Sequence, residues 1–299
     1  MTVLAIVGPT ASGKSALAVQ VARRVAGEIV GTDSMQAYRG MDIGTATPSV
    51  AEQGEIRHHM LDVWDIDRAV SVVEFRDTAR SAIDAIIAQD RTPIVVGGSG
   101  LYVRAVLEEM DFPATDSRVR EHWERRLEDL GAPALHAELA QRDPRAAEAI
   151  EVNNGRRIVR ALEVNEVTGT NFVARLPDPV DRYPTVRVGL RVERGELDAR
   201  IAARVDRMWD AGFVDEVRAL RDRGLDEAPT AGAALGYGPV LSYLAGGLDE
   251  EQARQATIDD TRKFARRQQR WFGKDARIRW LDVDSPDLVD EVASYLTST

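Results

Sequence analysis

The chain has no cysteine anywhere in its 299 residues. That excludes disulfides and any metal site built from cysteine, and it fits a reducing compartment. A hydrophobic run of membrane-spanning length is also missing. The opening MTVLAIVGPT carries no basic leader, and its apolar stretch is too short for a secretion signal or a bilayer span. Residence in the cytoplasm, with no membrane partner, is therefore expected. Net positive charge is lacking too, since 39 Lys and Arg against 49 Asp and Glu leave −10 at pH 7. Over the whole chain this argues mildly against a polyanionic partner. The average hides a basic stretch at 262–279, however, RKFARRQQRWFGKDARIR, whose one acid is Asp275. Internal repeats and low-complexity segments are absent. What remains is an ordinary globular composition, long enough for one large domain with a smaller one inserted or appended.

Apolar runs alternate with amphipathic stretches over the first hundred residues. TVLAIVG, EIVGTDS and TPIVVGGSG read as strands. GKSALAVQVARRV and SVVEFRDTARSAIDAIIAQ read as helices, the second with Val73, Phe75, Ala79, Ile83, Ile86 and Ile87 at helical spacing. Continuous apolar strands alternating with helices predict an α/β fold, a parallel sheet flanked by helices on both faces. From about 117 to 175 the strand signal disappears. RVREHWERRLEDL, APALHAELAQRD, RAAEAIEV and NGRRIVRALEVNEVTG form four helical segments there, punctuated by Gly131, Pro144 and Asn153-Asn154-Gly155. TVRVGLRVE returns to strand, GELDARIAARVDRMWDAGFVDEVRALRDRG is a long amphipathic helical region, and RIRWLDV is a last strand. The expected organisation is a core at 1–116, a helical insertion domain at 117–183, and the rest of the core at 184–299 with C-terminal helices and the basic stretch.

Gly8, Pro9, Thr10, Ala11, Ser12, Gly13, Lys14 and Ser15 spell GPTASGKS, the G-x-x-x-x-G-K-[ST] pattern, in its required place between a strand and a helix. Successive backbone N–H groups and the helix N-terminus make a nest for phosphate oxygens. Lys14 adds a mobile positive charge, and the Ser15 hydroxyl is a ligand for Mg²⁺. The pattern recognises a diphosphate without saying which molecule carries it. TPIVVGGSG ends in Gly-Gly-Ser rather than in an Asp that would hold Mg²⁺ as in ordinary P-loop NTPases. No Glu or Gln stands out to orient a water. Group transfer between two substrates is expected rather than hydrolysis.

Directly behind the second strand, IVGTDSMQAYRG sets Asp33, Ser34, Met35 and Gln36 at a carboxyl end. Ligands of such sheets gather there, and Gly97-Gly98-Ser99-Gly100 reaches the same crevice. A carboxylate at that place can take a proton from an attacking O–H or N–H while the P-loop stabilises the leaving phosphate. The plain alternative is that Asp33 caps a turn. Gln36 has the groups to read an adenine edge, although a turn-stabilising Gln is the commoner outcome.

GPTASGKS, GTDSMQAYRGMDIGTATP, HHMLDV, FRDTA, VVGGSGLYVRAV and NNGRRIVRALEV, then ALGY and TRKFARRQQRWF, resemble in order the bacterial tRNA dimethylallyltransferases, over nearly the whole chain. The resemblance implies transfer of a dimethylallyl group from dimethylallyl diphosphate to N6 of adenosine 37 in tRNAs that read codons beginning with U. It implies Asp33 as general base, with Ser99 near the reacting amine and diphosphate. Gly8 to Ser15 would bind the diphosphate with Mg²⁺, and Asp33, Ser34, Met35 and Gln36 would contact the flipped-out base. Arg120 and the RRIVR stretch, with Arg156, Arg157 and Arg160, would hold the tRNA anticodon stem-loop, as would the 262–279 stretch. A monomer is expected.

Thr47 stands where the family usually has Lys, and Gly238 where a basic residue is common. These departures bear on the tRNA interface more than on the chemistry. The absence of cysteine excludes the zinc finger of the family's eukaryotic members. His58-His59, adjacent on a strand, read as structural rather than metal-binding. Trp209 and Phe213 read as helix packing. A small-molecule P-loop kinase, a nucleotide-gated RNA-binding module and a prenyltransferase for free adenine nucleotides remain as other readings of the same residues.

Overall fold

The structure, a computed structural model, describes residues 1–173 and 177–297. The chain runs β1 (Val3–Val7), α1 (Lys14–Val25), β2 (Gly27–Gly31), the short α2 (Val50–Gln53), β3 (His58–His59), α3 (Val72–Ile87), β4 (Thr92–Gly97) and α4 (Gly100–Leu107). Four helices follow: α5 (Ser117–Leu130), α6 (Ala132–Arg142), α7 (Pro144–Ala149) and α8 (Gly155–Thr168). Next come β5 (Thr185–Arg191), α9 (Arg194–Asp210), α10 (Phe213–Arg221), α11 (Tyr237–Leu244), α12 (Glu250–Phe272), β6 (Ile278–Asp282) and α13 (Leu288–Thr297).

All six strands are parallel and lie in the order β3-β2-β4-β1-β5-β6. β1 sits between β4 and β5, with Leu4 opposite both Ile94 and Val186. Its five residues are all buried, which is why VLAIV shows no polar alternation. Successive side chains point to opposite faces. Val3, Ala5 and Val7 join one apolar cluster with Phe75 and Ile83 of α3, and Leu4 and Ile6 join another with Leu17 and Val21 of α1. Helix starts follow local chemistry: Ser71 caps α3 by accepting from the Glu74 N–H, and Asp249 and Gln252 form a reciprocal capping box on α12.

The chain divides into two compact units, Met1–Glu109 with Asp181–Thr299, and Met110–Val180. The second holds α5 to α8 around its own core of Trp123, Leu135, Leu139, Ile158 and Leu162. The boundaries thus differ from 117–183, of which 174–176 lie outside the described residues. Asp181 to Tyr183 belong with the sheet for a physical reason. The Arg182 N–H donates to the Leu107 carbonyl at 2.9 Å, and the Asp181 carboxylate accepts from Arg187 at 2.8 Å and Arg277 at 3.0 Å. The long amphipathic helical region expected at 195–224 forms as two helices, divided at Gly212, which takes φ 95°, a conformation costly to other residues. No helix among the described residues is long and apolar enough to cross a membrane.

Candidate active site

Because the strands are parallel, the segments after β1, β2, β4 and β5 all leave from one edge of the sheet. The loop after β1 is Gly8–Gly13, with Gly13 left-handed at φ 88° immediately before α1. Lys14 folds back over it and donates from Nζ to the Pro9 carbonyl at 2.6 Å. Ser12 is fully buried, and its Oγ has no hydrogen-bond partner, an unmet polar group inside the loop. Ser15 stands exposed in the first turn of α1.

Asp33 lies two residues beyond β2, half-buried, and accepts the Met35 N–H at 3.0 Å. Burial pushes its carboxyl above the usual carboxylate range. The Met35 N–H, the Arg204 guanidinium, the Lys14 ammonium and the Gln36 N–H oppose that shift without cancelling it. Burial likewise lowers Lys14, to about 7, with Arg204 adding to the effect and Asp33 opposing it. Arg204 is itself lowered by burial, while Asp33 raises it. These three groups therefore share one electrostatic field: two basic side chains and an acid, each with its pKa shifted first by loss of water.

Arg204 is the residue that the sequence did not single out. It sits on α9 and bridges two loops, donating from Nη1 to Thr10 Oγ1 at 3.1 Å and from Nη2 to the Thr45 carbonyl at 3.3 Å. A second such contact comes from α12, where the nearly buried Gln268 accepts the Thr10 N–H at 2.8 Å. Trp271, one turn on and 41% exposed, lies so close to Gly100 that any Cβ there would strike the indole. Gly97 is pressed in the same way on Thr32, and Gly98 on Gln268. The run Gly97-Gly98-Ser99-Gly100 is thus glycine-rich because Thr32 and helix α12 crowd it. Ser99 stands at the N-cap of α4 without a side-chain capping bond.

Gln36 behaves differently from a base reader with a free amide. Its Nε2 donates to the Thr45 and Ala46 carbonyls, both at 3.2 Å, leaving its oxygen as the group on offer. Met35 packs against the core, and Ser34 is hydrogen-bonded to Tyr102. The Thr47 hydroxyl meets that of Thr45 at 2.9 Å, and its N–H donates to the Asp42 carbonyl. The Gly238 position opens onto free space.

The basic stretch is not one face. Residues up to Phe272 belong to α12, whereas Arg277 and Arg279 have left the helix. Arg277 is tied to Asp275, Glu108 and Asp181, and Arg279 lies over the Tyr295 ring at 4.4 Å. Lys263, Arg266, Arg267 and Arg270 instead line an open groove of about 530 Å³ with Arg194 and Gln269. In the helical unit, Arg120 and Arg160 both pair with the fully buried Glu163, at 2.7 and 2.9 Å, and Arg160 also donates to the Pro113 and Ala114 carbonyls. Their first duty is architectural. Arg156 and Arg157 stand exposed in the first turn of α8.

His59 bonds Glu28 at 2.6 Å and His58 bonds the Ile56 carbonyl at 2.9 Å, the structural roles expected of them. No cluster of metal-binding side chains occurs among the described residues. Trp209 and Phe213 pack edge to face at 5.4 Å.

The family described as IPP transferase matches residues 36–275. This chain belongs to the IPP transferase family. A tRNA dimethylallyltransferase of Thermobifida fusca (strain YX) is 55% identical to it, over 97% of this chain and 92% of the relative. The crystal structure of a Bacillus halodurans tRNA isopentenylpyrophosphate transferase superposes with a TM-score of 0.74 at 37% identity, covering 99% of this chain and 96% of the other. A Staphylococcus epidermidis tRNA isopentenylpyrophosphate transferase gives 0.72 at 32%, covering 100% and 99%. In this member of the IPP transferase family, the six-stranded parallel sheet and its flanking helices are therefore shared with solved relatives, and the family match itself begins three residues after Asp33.

Proposed function

We propose that this chain is a tRNA dimethylallyltransferase of the cytoplasm. It moves the dimethylallyl group of dimethylallyl diphosphate to N6 of adenosine 37, in tRNAs reading codons that begin with U, and acts as a monomer. The observation that carries this reading is the triad of Lys14, Arg204 and Asp33, two cations and an acid in one field at the carboxyl edge of the sheet.

In this mechanism the allylic C1–O bond breaks and the C1–N6 bond forms. Negative charge grows on the departing diphosphate, where Lys14, Arg204 and the N–H groups of Gly8 to Ser15 stabilise it. The attacking amine loses a proton as it gains carbon, and Asp33 accepts it. A carboxylate held above its usual pKa range is a stronger base than an exposed one, so the burial that raises Asp33 favours this step. Diphosphate and the prenylated adenosine leave. Ser99, at the mouth of α4, would stand beside the reacting centre, and Ser34 to Gln36 would line the extruded base, with the Gln36 oxygen as acceptor for an amino proton.

Mg²⁺ fits the loop by donor chemistry: Ser15 offers a hydroxyl oxygen, no carboxylate cluster competes among the described residues, and the remaining ligands would be phosphate oxygens and water. When bound, the ion would supply Lewis-acid neutralisation of the leaving diphosphate. The groove of Lys263, Arg266, Arg267 and Arg270, together with Arg156 and Arg157, would hold tRNA phosphates.

Incubating the protein with labelled dimethylallyl diphosphate, Mg²⁺ and unmodified tRNA tests the reading. Label on the adenosine 3′ of the anticodon supports it. Unlabelled tRNA, with phosphoryl transfer to a small acceptor, would replace it by a kinase.

A further inference from the structure

Glu216, in the first turn of α10, has an environment unlike any other carboxylate among the described residues. Its Oε2 accepts the N–H groups of Asp42 at 2.9 Å and Ile43 at 2.6 Å, and its Oε1 accepts the Gly44 N–H at 3.0 Å and the Tyr237 hydroxyl at 2.8 Å. Three consecutive backbone N–H groups and a phenol thus converge on one anion, using both of its oxygens twice. Tyr237 is fully buried, and burial drives its hydroxyl strongly upward in pKa, so it stays a donor. Gly44 has no room for a Cβ because its backbone rests on the rings of Phe213 and Tyr237. The loop is therefore seated against α10 and α11 by its N–H side and by a glycine contact.

Its carbonyl side faces the site. Thr45 O accepts from Gln36 Nε2 and Arg204 Nη2, and Ala46 O accepts from Gln36 Nε2. A single five-residue loop thus receives an anion on one side and orients two functional side chains with the other. Arg204 continues from there to Thr10 in the phosphate loop.

We infer that Glu216 is a positioning residue for both substrates: through the 42–46 loop it sets the Gln36 amide against the base and the Arg204 guanidinium against the diphosphate. This rests on the tRNA prenyltransferase reading proposed above. Glu216 touches neither substrate in that arrangement. The peptide units that Glu216 bonds carry the Asp42 and Ile43 carbonyls, which accept the Thr47 and Ala46 N–H groups, so its charge is relayed through one hydrogen bond to the units whose carbonyls hold Gln36 and Arg204.

Glu216→Gln is close in shape but presents an amide nitrogen to N–H donors, which breaks two of the four bonds. KM for tRNA and KM for dimethylallyl diphosphate are each expected to rise about tenfold. Affinity for inorganic pyrophosphate, measured by calorimetry, is expected to fall about as much. The decisive measurement is a double-mutant cycle. In a Gln36→Ala background, Glu216→Gln should no longer change KM for tRNA, and in an Arg204→Ala background it should no longer change pyrophosphate affinity. Additive effects, or a lowered Tm with both KM values unchanged, would overturn the inference and leave Glu216 as a fold-stabilising group. Tyr237→Phe removes one bond only, and the same cycles run on it decide the matter if Glu216→Gln does not fold. Wild-type protein that binds pyrophosphate yet never labels tRNA would sink the proposed function, while the pyrophosphate cycle would still judge Glu216.

Discussion

Glu163 in the helical unit and the group of Lys14, Asp33 and Arg204 in the sheet unit handle buried charge in opposite ways. In the helical unit, Glu163 is fully buried and meets Arg120 twice and Arg160 once, while its other oxygen also accepts the Asp116 N–H. In the sheet unit, Lys14, Asp33 and Arg204 sit near one another with no ion pair formed among them, and each is shifted by lost hydration. Satisfied charge of the first kind holds a shape. Charge of the second kind is not paired among the described residues, and a diphosphate on one side with an amine on the other would complete it. By the same criterion Arg120 and Arg160, read from the sequence as substrate contacts, have a protein partner in Glu163, whereas Arg204, which the sequence did not single out, has no acid paired with it among the described residues.

Substitutions can break this contrast. Asp33→Ala should have the largest effect on chemistry, lowering the single-turnover prenylation rate by about 10²–10⁴-fold while tRNA affinity stays within a few-fold. A rate loss matched by an equal affinity loss would make Asp33 a binding group. Glu163→Ala should have the largest effect on stability, of about 3 kcal/mol by denaturant titration, because two guanidinium groups lose their anion. The rate per folded molecule should be unchanged. Arg204→Ala should raise KM for the prenyl diphosphate by about 10–100-fold, as expected for a charged hydrogen-bonding group. Arg120→Ala, by contrast, should cost more in stability than in KM.

The raised pKa of Asp33 gives a finer test. Ionised Asp33 disfavours the folded state, so its contribution is most favourable below the unfolded pKa and is lost as pH rises through the higher folded value. Asp33→Asn should therefore raise Tm at neutral pH by about 2–4 °C, the scale of ~1 kcal/mol in a chain of this size, and by less in acid. Wild-type kcat/KM should fall as pH drops through the same elevated pKa, because the base is then protonated. The smallest effect belongs to Arg156→Gln with Arg157→Gln. For every phosphate these side chains neutralise, the double substitution should flatten the slope of log affinity for tRNA against log salt by about 0.7–0.9.

Much of this was legible in the residues. GPTASGKS lies between β1 and α1, the strands expected within TVLAIVG, EIVGTDS, TPIVVGGSG, TVRVGLRVE and RIRWLDV form as β1, β2, β4, β5 and β6, and the stretch without strand signal holds four helices. Those features are written in local patterns of apolar periodicity and glycine placement. Arg204 was not legible because its meaning is non-local. On α9 the buried face is Leu197, Ile201 and Val205, and Arg204 beside it reads as a solvated cation until β5 brings the helix past Thr10. Gln268 hides in the same way within a run of arginines. The break at Gly212 had a signal, a Gly following Asp-Ala at the end of an amphipathic turn, of the kind that ends helices. The role of Arg120 needed the position of Glu163, 43 residues away, whereas Arg160 and Glu163 are an i,i+3 pair on one helix that spacing alone could have joined.

The register of the sheet has a consequence for how the molecule is made. Val3 hydrogen-bonds alongside Thr185, so the central strand lacks one of its two neighbours until synthesis has passed the whole helical unit. Helices α5 to α8 contact one another over short sequence separations and can condense early on a nascent chain, whereas the contact of Arg204 with the loop after β1 must wait for β5 and then α9. The newborn protein can thus assemble its helical module first and bring Lys14, Asp33 and Arg204 together late.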